Sequence, residues 1–246
     1  MSRSLPTPFP KRERLAERFR RAILTVPEAQ ELDETAEKLH GVKLADYALP
    51  RHNVIVEQKE IKVQTDARIT KLEAEMYRLG LIYGFDPAVT EPVEIDRMIT
   101  GKHDRFENNK VYLSALRFVE EDLSTANRQI RDTKDRLGMA SAGGLVVMIN
   151  EDAGEFSVHV IGFAIARLLR KRKSRTERRL SHINGVLLFQ NRPIAGPRAN
   201  VICFHSAYTI PSIDRFAYEL MSLCTGGAPI EYGRVDAANN ARIFLL

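Results

Sequence analysis

Residues 42–63 read VKLADYALPRHNVIVEQKEIKV. Two runs rich in Val, Ile and Leu, 42–49 and 53–63, flank the segment PRHN at 50–53. Pro50 ends the first run, and PRHN reads as a hairpin turn, so the two strands are expected to pair antiparallel. Side chains at i and i+2 of a strand share one face. Glu57 and Lys59 therefore project side by side, and the hairpin brings Asp46 roughly opposite them.

Two carboxylates and an ammonium are then expected to converge. Two acidic oxygens can hold Mg²⁺ (or Mn²⁺), leaving its other positions to water and phosphate oxygens. Such an ion lowers the pKa of a bound water and neutralises charge on a reacting phosphate. Lys59 can orient the attacking water and stabilise the pentacovalent phosphate. Two other readings of these residues stay open. The charges can be an alternating, exposed strand face, or Glu60 and Lys62, on the opposite face, can be the working pair.

Working outward, residues 11–24 (KRERLAERFRRAIL) look helical. A helix is expected to begin near Pro27 and run to Lys38 or Leu39, with Leu32, Ala36 and Leu39 as its apolar stripe. Residues 66–82 look helical, and 84–105, with Pro87, Pro92 and Gly101, connect helices. A long helix is expected from about Glu107 to Leu137, with Leu116, Val119, Leu123, Ala126, Ile130, Thr133 and Leu137 at 3–4 spacing. A stripe of this length is more often core than a coiled-coil seam. Gly143-Gly144 leads into GLVVMIN, a continuous apolar run of the buried-strand type. A helix over 156–173, strands over 183–189 and 200–204, and a helix from Pro211 to about Leu223 follow. The expected fold class is α/β: a mixed central sheet flanked by helices on both faces, in one domain over 1–246, with 64–125 a helical insertion.

Asp46, a ten-residue gap, then Glu57-Gln58-Lys59 after Val54-Ile55-Val56 resembles the PD-(D/E)xK nuclease superfamily. The helix ANRQIRDTKDRLG before GLVVMIN extends the likeness, which covers about 28–60 and 125–190. The resemblance implies a restriction-endonuclease-like core and Mg²⁺-dependent cleavage of DNA or RNA. It implies Asp46 and Glu57 as metal ligands and Lys59 as the residue assisting the water. It further implies a first-helix glutamate, Glu34 or Glu37, as an added ligand, with Glu34 preferred, and Gln129 and Lys134 as helix residues of the site. Ala45 stands where many members have Pro, and Gln58 is polar where the middle residue is usually apolar.

Residues 167–179 (RLLRKRKSRTERR) hold eight Lys/Arg and one Glu. The bland account is a solvated helix end favoured by the macrodipole. Eight cations in thirteen residues exceed what a cap needs, and such a cluster neutralises phosphates. Arg170, Lys171, Arg172, Lys173 and Arg175 are the expected nucleic-acid contacts. Lys11, Arg12, Arg14, Arg18, Arg20 and Arg21 form a second basic group.

The chain has 246 residues, 37 Lys+Arg against 32 Asp+Glu, 44% hydrophobic and 28% charged residues, a globular rather than disordered composition. The net charge of +5 is too small to argue a nucleic-acid partner by itself. No apolar run is long enough for a membrane helix, and no secretory h-region follows the basic start. Cys203 and Cys224 form no CxxC pair, so a reducing, cytoplasmic setting is expected. Phosphate-loop, GxGxxG, GxSxG and HExxH motifs are missing. The expectation is a metal-dependent nuclease acting on DNA, with a homodimer through the stripe on the long helix as its expected assembly. The alternative is a catalytically inactive nucleic-acid- or protein-binding module on the same fold.

Overall fold

A computed structural model describes residues 14–32, 43–61, 117–151, 158–174, 178–191, 200–206, 211–224, 231–232 and 241–245. The strands are β1 (Gln30–Glu31), β2 (Tyr47–Leu49), β3 (Val54–Glu60), β4 (Gly143–Asn150), β5 (Gly185–Asn191), β6 (Asn200–Ser206), β7 (Glu231–Tyr232) and β8 (Ala241–Leu245). The helices are α1 (Leu15–Leu24), α2 (Arg117–Leu137), α3 (Val158–Arg170) and α4 (Pro211–Cys224). All eight strands form one sheet in the order β1-β2-β3-β4-β5-β6-β8-β7. The central trio β3, β4 and β5 runs parallel, and every other pairing is antiparallel.

Strand alternation sorts the core into two layers. Ile55, Val146, Met148, Val186 and Leu188 face α2 and α3, where they meet Val119, Leu123, Ala126, Ile130, Ile161, Ile165 and Leu169. Val54, Val56, Leu145, Val147, Ile149 and Leu187 face the other way, against Phe19 and Ile23 of α1 and Phe216, Leu220 and Met221 of α4. The fold is thus mixed α/β, with a mixed sheet flanked by helices on both faces. The unbroken apolar run in β4 follows from its position, since a strand covered on both faces needs no polar side. The stripe on α2 is core from Val119 to Thr133, with Val119, Leu123, Ala126, Ile130 and Thr133 buried within the chain, whereas Leu137 is exposed and Leu116 lies outside the described residues. That use leaves none of these residues to a helix–helix dimer seam.

The hairpin turn is a 3-10 turn, Pro50–His52, closed by Asn53 at φ 53°. Its Asn53 carbonyl accepts the Gly143 N–H at 2.8 Å, which starts the β3–β4 ladder. Gly144 has no room for a side chain, because a Cβ there would run into the His182 carbonyl oxygen.

Several boundaries differ from those expected. No helix starts at Pro27. The chain turns after α1, passes through Glu28 at φ 63°, and pairs Gln30 with Ala48 and Glu31 with Tyr47 as a strand. Arg20 fastens Glu31 with two 2.7 Å hydrogen bonds. The open edge of β2 and this ion pair thus override a local helical pattern. The first hairpin strand covers Tyr47–Leu49, not 42–49, and the second ends at Glu60. Residues 171–173 leave the helix after Arg170, and β7 and β8 extend the sheet beyond the strands expected. Residues 117–125, grouped with the insertion on sequence, are the first turns of α2 and contribute Val119 and Leu123 to the core. Residues 33–42, including Glu34 and Glu37, and 62–116, with the helix expected over 66–82, lie outside the described residues.

Candidate functional site

The site is built where the hairpin meets α2. In β3, Ile55 faces the α2 layer, so by alternation Glu57 and Lys59 face it too. Their side chains are almost fully enclosed, at 1% and 15% exposure. Asp46 lies one residue before β2. Its Oδ2 accepts the Gln58 N–H at 2.7 Å, and its own N–H donates to Glu57 Oε2 at 3.2 Å. Lys59 Nζ donates to Glu57 Oε1 at 2.5 Å and to Gln129 Oε1 of α2 at 2.9 Å. Gln129 in turn donates through Nε2 to the Leu44 carbonyl at 3.1 Å. One helical turn on, Thr133 Oγ1 donates to the Gln129 carbonyl at 2.7 Å and accepts the Ala45 N–H at 2.8 Å. The residues leading into β2 are therefore tied to α2, and Asp46 is carried with them.

Asp46, Glu57, Lys59 and Gln129 thus come together, as their spacing suggests. Burial of the group pushes the Glu57 carboxyl up to about 7, with the nearby Asp46 charge adding to the effect and Lys59 opposing it. Burial also raises Asp46, against the Gln58 N–H and the Lys59 charge. Two carboxylates that resist sharing negative charge suit a divalent cation. The Asp46 side chain also hydrogen-bonds that of Glu57, which sets the two carboxyl groups side by side. Two hard oxygen donors fit a Mg²⁺ that keeps several of its waters. No cluster of three or more His, Cys, Asp or Glu suited to a metal occurs among the described residues.

Sequence reading missed Asp122. It lies seven residues before Gln129 on the same face of α2, and the Lys59 charge acts on its carboxyl against the upward pull of burial. The i, i+7 relation to Gln129 is the signal that could have found it.

Lys134 is not brought to this group. Five residues past Gln129, it is rotated about 140° around the helix. It is 7% exposed and turns toward the His182 carbonyl at 3.5 Å. Burial lowers its ammonium pKa. Asn127, on the same flank of α2, accepts the His182 N–H at 2.9 Å. Of the rival pair, Glu60 faces the α1 layer and binds Arg14 at 3.0 Å, while Lys62 lies outside the described residues.

The two basic groups are used differently. Arg14, just before α1, bridges Glu60 and Glu151 at 3.0 and 3.1 Å, and Arg20 within α1 holds Glu31, while Lys11 and Arg12 lie outside the described residues. These cations fasten the first helix to the sheet. At the end of α3 and just past it, Arg170, Lys171, Arg172 and Lys173 are exposed. The chain folds back here through a bridge between Arg172 and Arg178. Arg175 lies outside the described residues.

No family model, no curated protein and no solved structure matches the chain. Among the described residues no helix is long and apolar enough to cross a membrane.

Proposed function

We propose that the chain is a metal-dependent nuclease with a restriction-endonuclease-like core, which hydrolyses phosphodiester bonds of nucleic acid, DNA first among the substrates, in a cytoplasmic setting. The observation that carries this reading is the convergence of Asp46, Glu57 and Lys59 at the C-terminal end of a parallel strand, with Gln129 holding the lysine. Ligand sites of open α/β sheets gather at those strand ends.

Asp46 and Glu57 would hold Mg²⁺ or Mn²⁺, which when bound supplies an acidified water and positive charge beside the phosphate. The protein's own part is positional. Gln58 and Asp46 N–H groups aim the two carboxylates. Gln129 keeps the Lys59 ammonium from collapsing wholly onto Glu57, so its one remaining proton can face a phosphate oxygen or the attacking water. The apolar residues around Glu57 exclude bulk water and strengthen each of these interactions.

The test is cleavage of plasmid and single-stranded DNA with Mg²⁺ or Mn²⁺, against EDTA and Asp46→Ala. Loss of the metal ligand is expected to lower the rate on the order of 10³-fold. Unchanged cleavage in Asp46→Ala sinks the assignment.

One observation favours a second reading, a non-catalytic binding module. Lys59 pairs with Glu57 at 2.5 Å, so the buried carboxylate has a cationic partner within the chain itself. A calorimetric Mn²⁺ titration separates the two. No heat of binding, with DNA binding intact, selects the module.

A further inference from the structure

Lys43 is a cation beside the carboxylate site that no acid holds. It is exposed, and no described residue accepts a hydrogen bond or an ion pair from it. Its charge nevertheless acts on both Asp46 and Glu57. The backbone that follows it is fixed at three successive residues. The Leu44 carbonyl accepts Gln129 Nε2 at 3.1 Å, the Ala45 N–H donates to Thr133 Oγ1 at 2.8 Å, and the Asp46 carbonyl accepts the Leu32 N–H at 2.8 Å. Lys43 is therefore held at the rim of the site by a segment tied to α2 and to the residue after β1, while its ammonium stays in water.

Most exposed lysines are solvated and do no more. The charge balance of this site argues for a further role. Asp46, Glu57 and Asp122 all lie within the field of Lys59, so three carboxyls share one enclosed ammonium. That ammonium is committed to Glu57 and Gln129. A divalent ion would cancel the two negative charges that Lys59 leaves over, and the filled site would then be formally neutral. A neutral site does not draw in an anion. Lys43 is the charge that tips this balance to the positive side, where solvent reaches the carboxylates. The cations of the first helix cannot do so, since Arg14 is taken up by Glu60 and Glu151 and Arg20 by Glu31. A lysine ammonium is a compact point charge on a flexible stem, which suits a single phosphate oxygen.

We infer that Lys43 is the substrate-binding cation of this site: its ammonium takes a non-bridging oxygen of the phosphodiester that lies beside Asp46 and Glu57. It touches substrate but no reacting atom, so it governs binding and not the chemical step. The inference rests on the nuclease reading for its meaning, and its test separates the two.

The experiment is fluorescence anisotropy on the full chain with a 20-nucleotide DNA strand and a DNA duplex, in EDTA so that no cleavage occurs. Lys43→Ala is expected to weaken binding several-fold. It should also lower the slope of log Kd against log salt by about 0.9 for duplex and about 0.7 for single strand, the loss of one phosphate contact. Lys43→Arg should restore most of both. Arg51→Ala removes a like charge from the hairpin turn, at the start of β3 and away from the carboxylates, and should change neither. With Mg²⁺, the loss in Lys43→Ala should appear in KM rather than kcat. Calorimetric Mn²⁺ affinity should stay equal or rise, because a positive charge near the ion is gone. Equal effects of Lys43→Ala and Arg51→Ala, or a fall in Mn²⁺ affinity, overturn the inference. So does a chain that cleaves DNA while Lys43→Ala leaves Kd, slope and KM unmoved, and the nuclease reading then stands. A chain that binds through Lys43 and cuts nothing sinks the nuclease reading and leaves the contact standing. A chain that binds neither oligonucleotide overturns both.

Discussion

Glu57 and Glu60 are three residues apart on one strand and end in opposite worlds. Glu57 is enclosed under α2 beside Asp46 and Lys59, with 1% of its side chain exposed. Glu60 faces the α1 layer, 30% exposed, and ties Arg14 of the first helix to the sheet. Both carboxylates have a cation within 3.0 Å. What separates them is the company. Glu57 shares its pocket with a second acid, and burial disfavours its charge. Glu60 sits at a rim where water can replace its partner. A Glu next to a cation is thus a fastening on one face of β3 and a charged chemical group on the other. The contrast shows that sheet face, set by a two-residue period, decides which role a given acid can take.

Breaking the buried side first gives the largest effect. Lys59→Met removes the ammonium and leaves Glu57 against Asp46 without a cation. Losing one partner of a buried pair costs about 3–5 kcal/mol. Denaturant unfolding at pH 8 should register this, and at pH 5 most of the loss should vanish because Glu57 is then protonated. An equal loss at both pH values would mean that packing, not charge, governs the site.

The intact chain should show a smaller effect of the same origin. Glu57 titrates near 7 when folded, against an ordinary value of 4.5. The folded state therefore holds this proton more tightly than the unfolded state does. The contribution of Glu57 to stability is fully present below pH 4.5 and is lost as pH rises through 7, a fall of about 3 kcal/mol. Glu57→Gln should flatten that slope, and Mg²⁺ at pH 8 should offset it. A wild-type curve that is flat from pH 5 to 8 would contradict the enclosed environment described for Glu57.

The α1 face should be gentler. Glu151 accepts the Leu15 N–H at 2.6 Å at the start of α1, so Glu151→Ala should cost about 1 kcal/mol, as the loss of an N-terminal cap does. Glu60→Gln should lower Tm slightly at low salt and hardly at all in 1 M NaCl, with any cleavage unchanged. Thermal melts at two salt concentrations decide this. If Glu60→Gln abolished cleavage, the division of labour between the two faces would be wrong.

Much of the site was legible in the sequence because it depends on short-range rules. Period-2 alternation puts Glu57 and Lys59 on one face, and a tight turn at 50–53 brings Asp46 back toward them. The apolar run in β4 likewise announces a strand covered on both sides. The misreadings share one cause, which is partners distant in the chain. Residues 27–32 carry a helical pattern, yet β2 and Arg20 draw Gln30 and Glu31 into a strand. Lys134 has the residue type the resemblance asks for, but its angle around α2 sends it to His182. The bond from Leu15 to Glu151 crosses 136 positions, and no local pattern announces it.

The parallel pairing of β3 with β4 also says how the site must be made. Lys59 registers with Met148 and Glu60 with Ile149, so the pairing closes a loop of more than eighty residues. Closing such a loop costs chain entropy before any contact repays it, and each doubling of its length adds about 0.6 kcal/mol. Non-local parallel strands fold slowly for that reason. The hairpin can form as soon as it leaves the ribosome, but Lys59 has no Gln129 to meet until α2 has been synthesised. Its charged cluster is therefore a late product of folding, and the nascent hairpin carries Asp46, Glu57 and Lys59 in water, unassembled, until the second half of the sheet arrives.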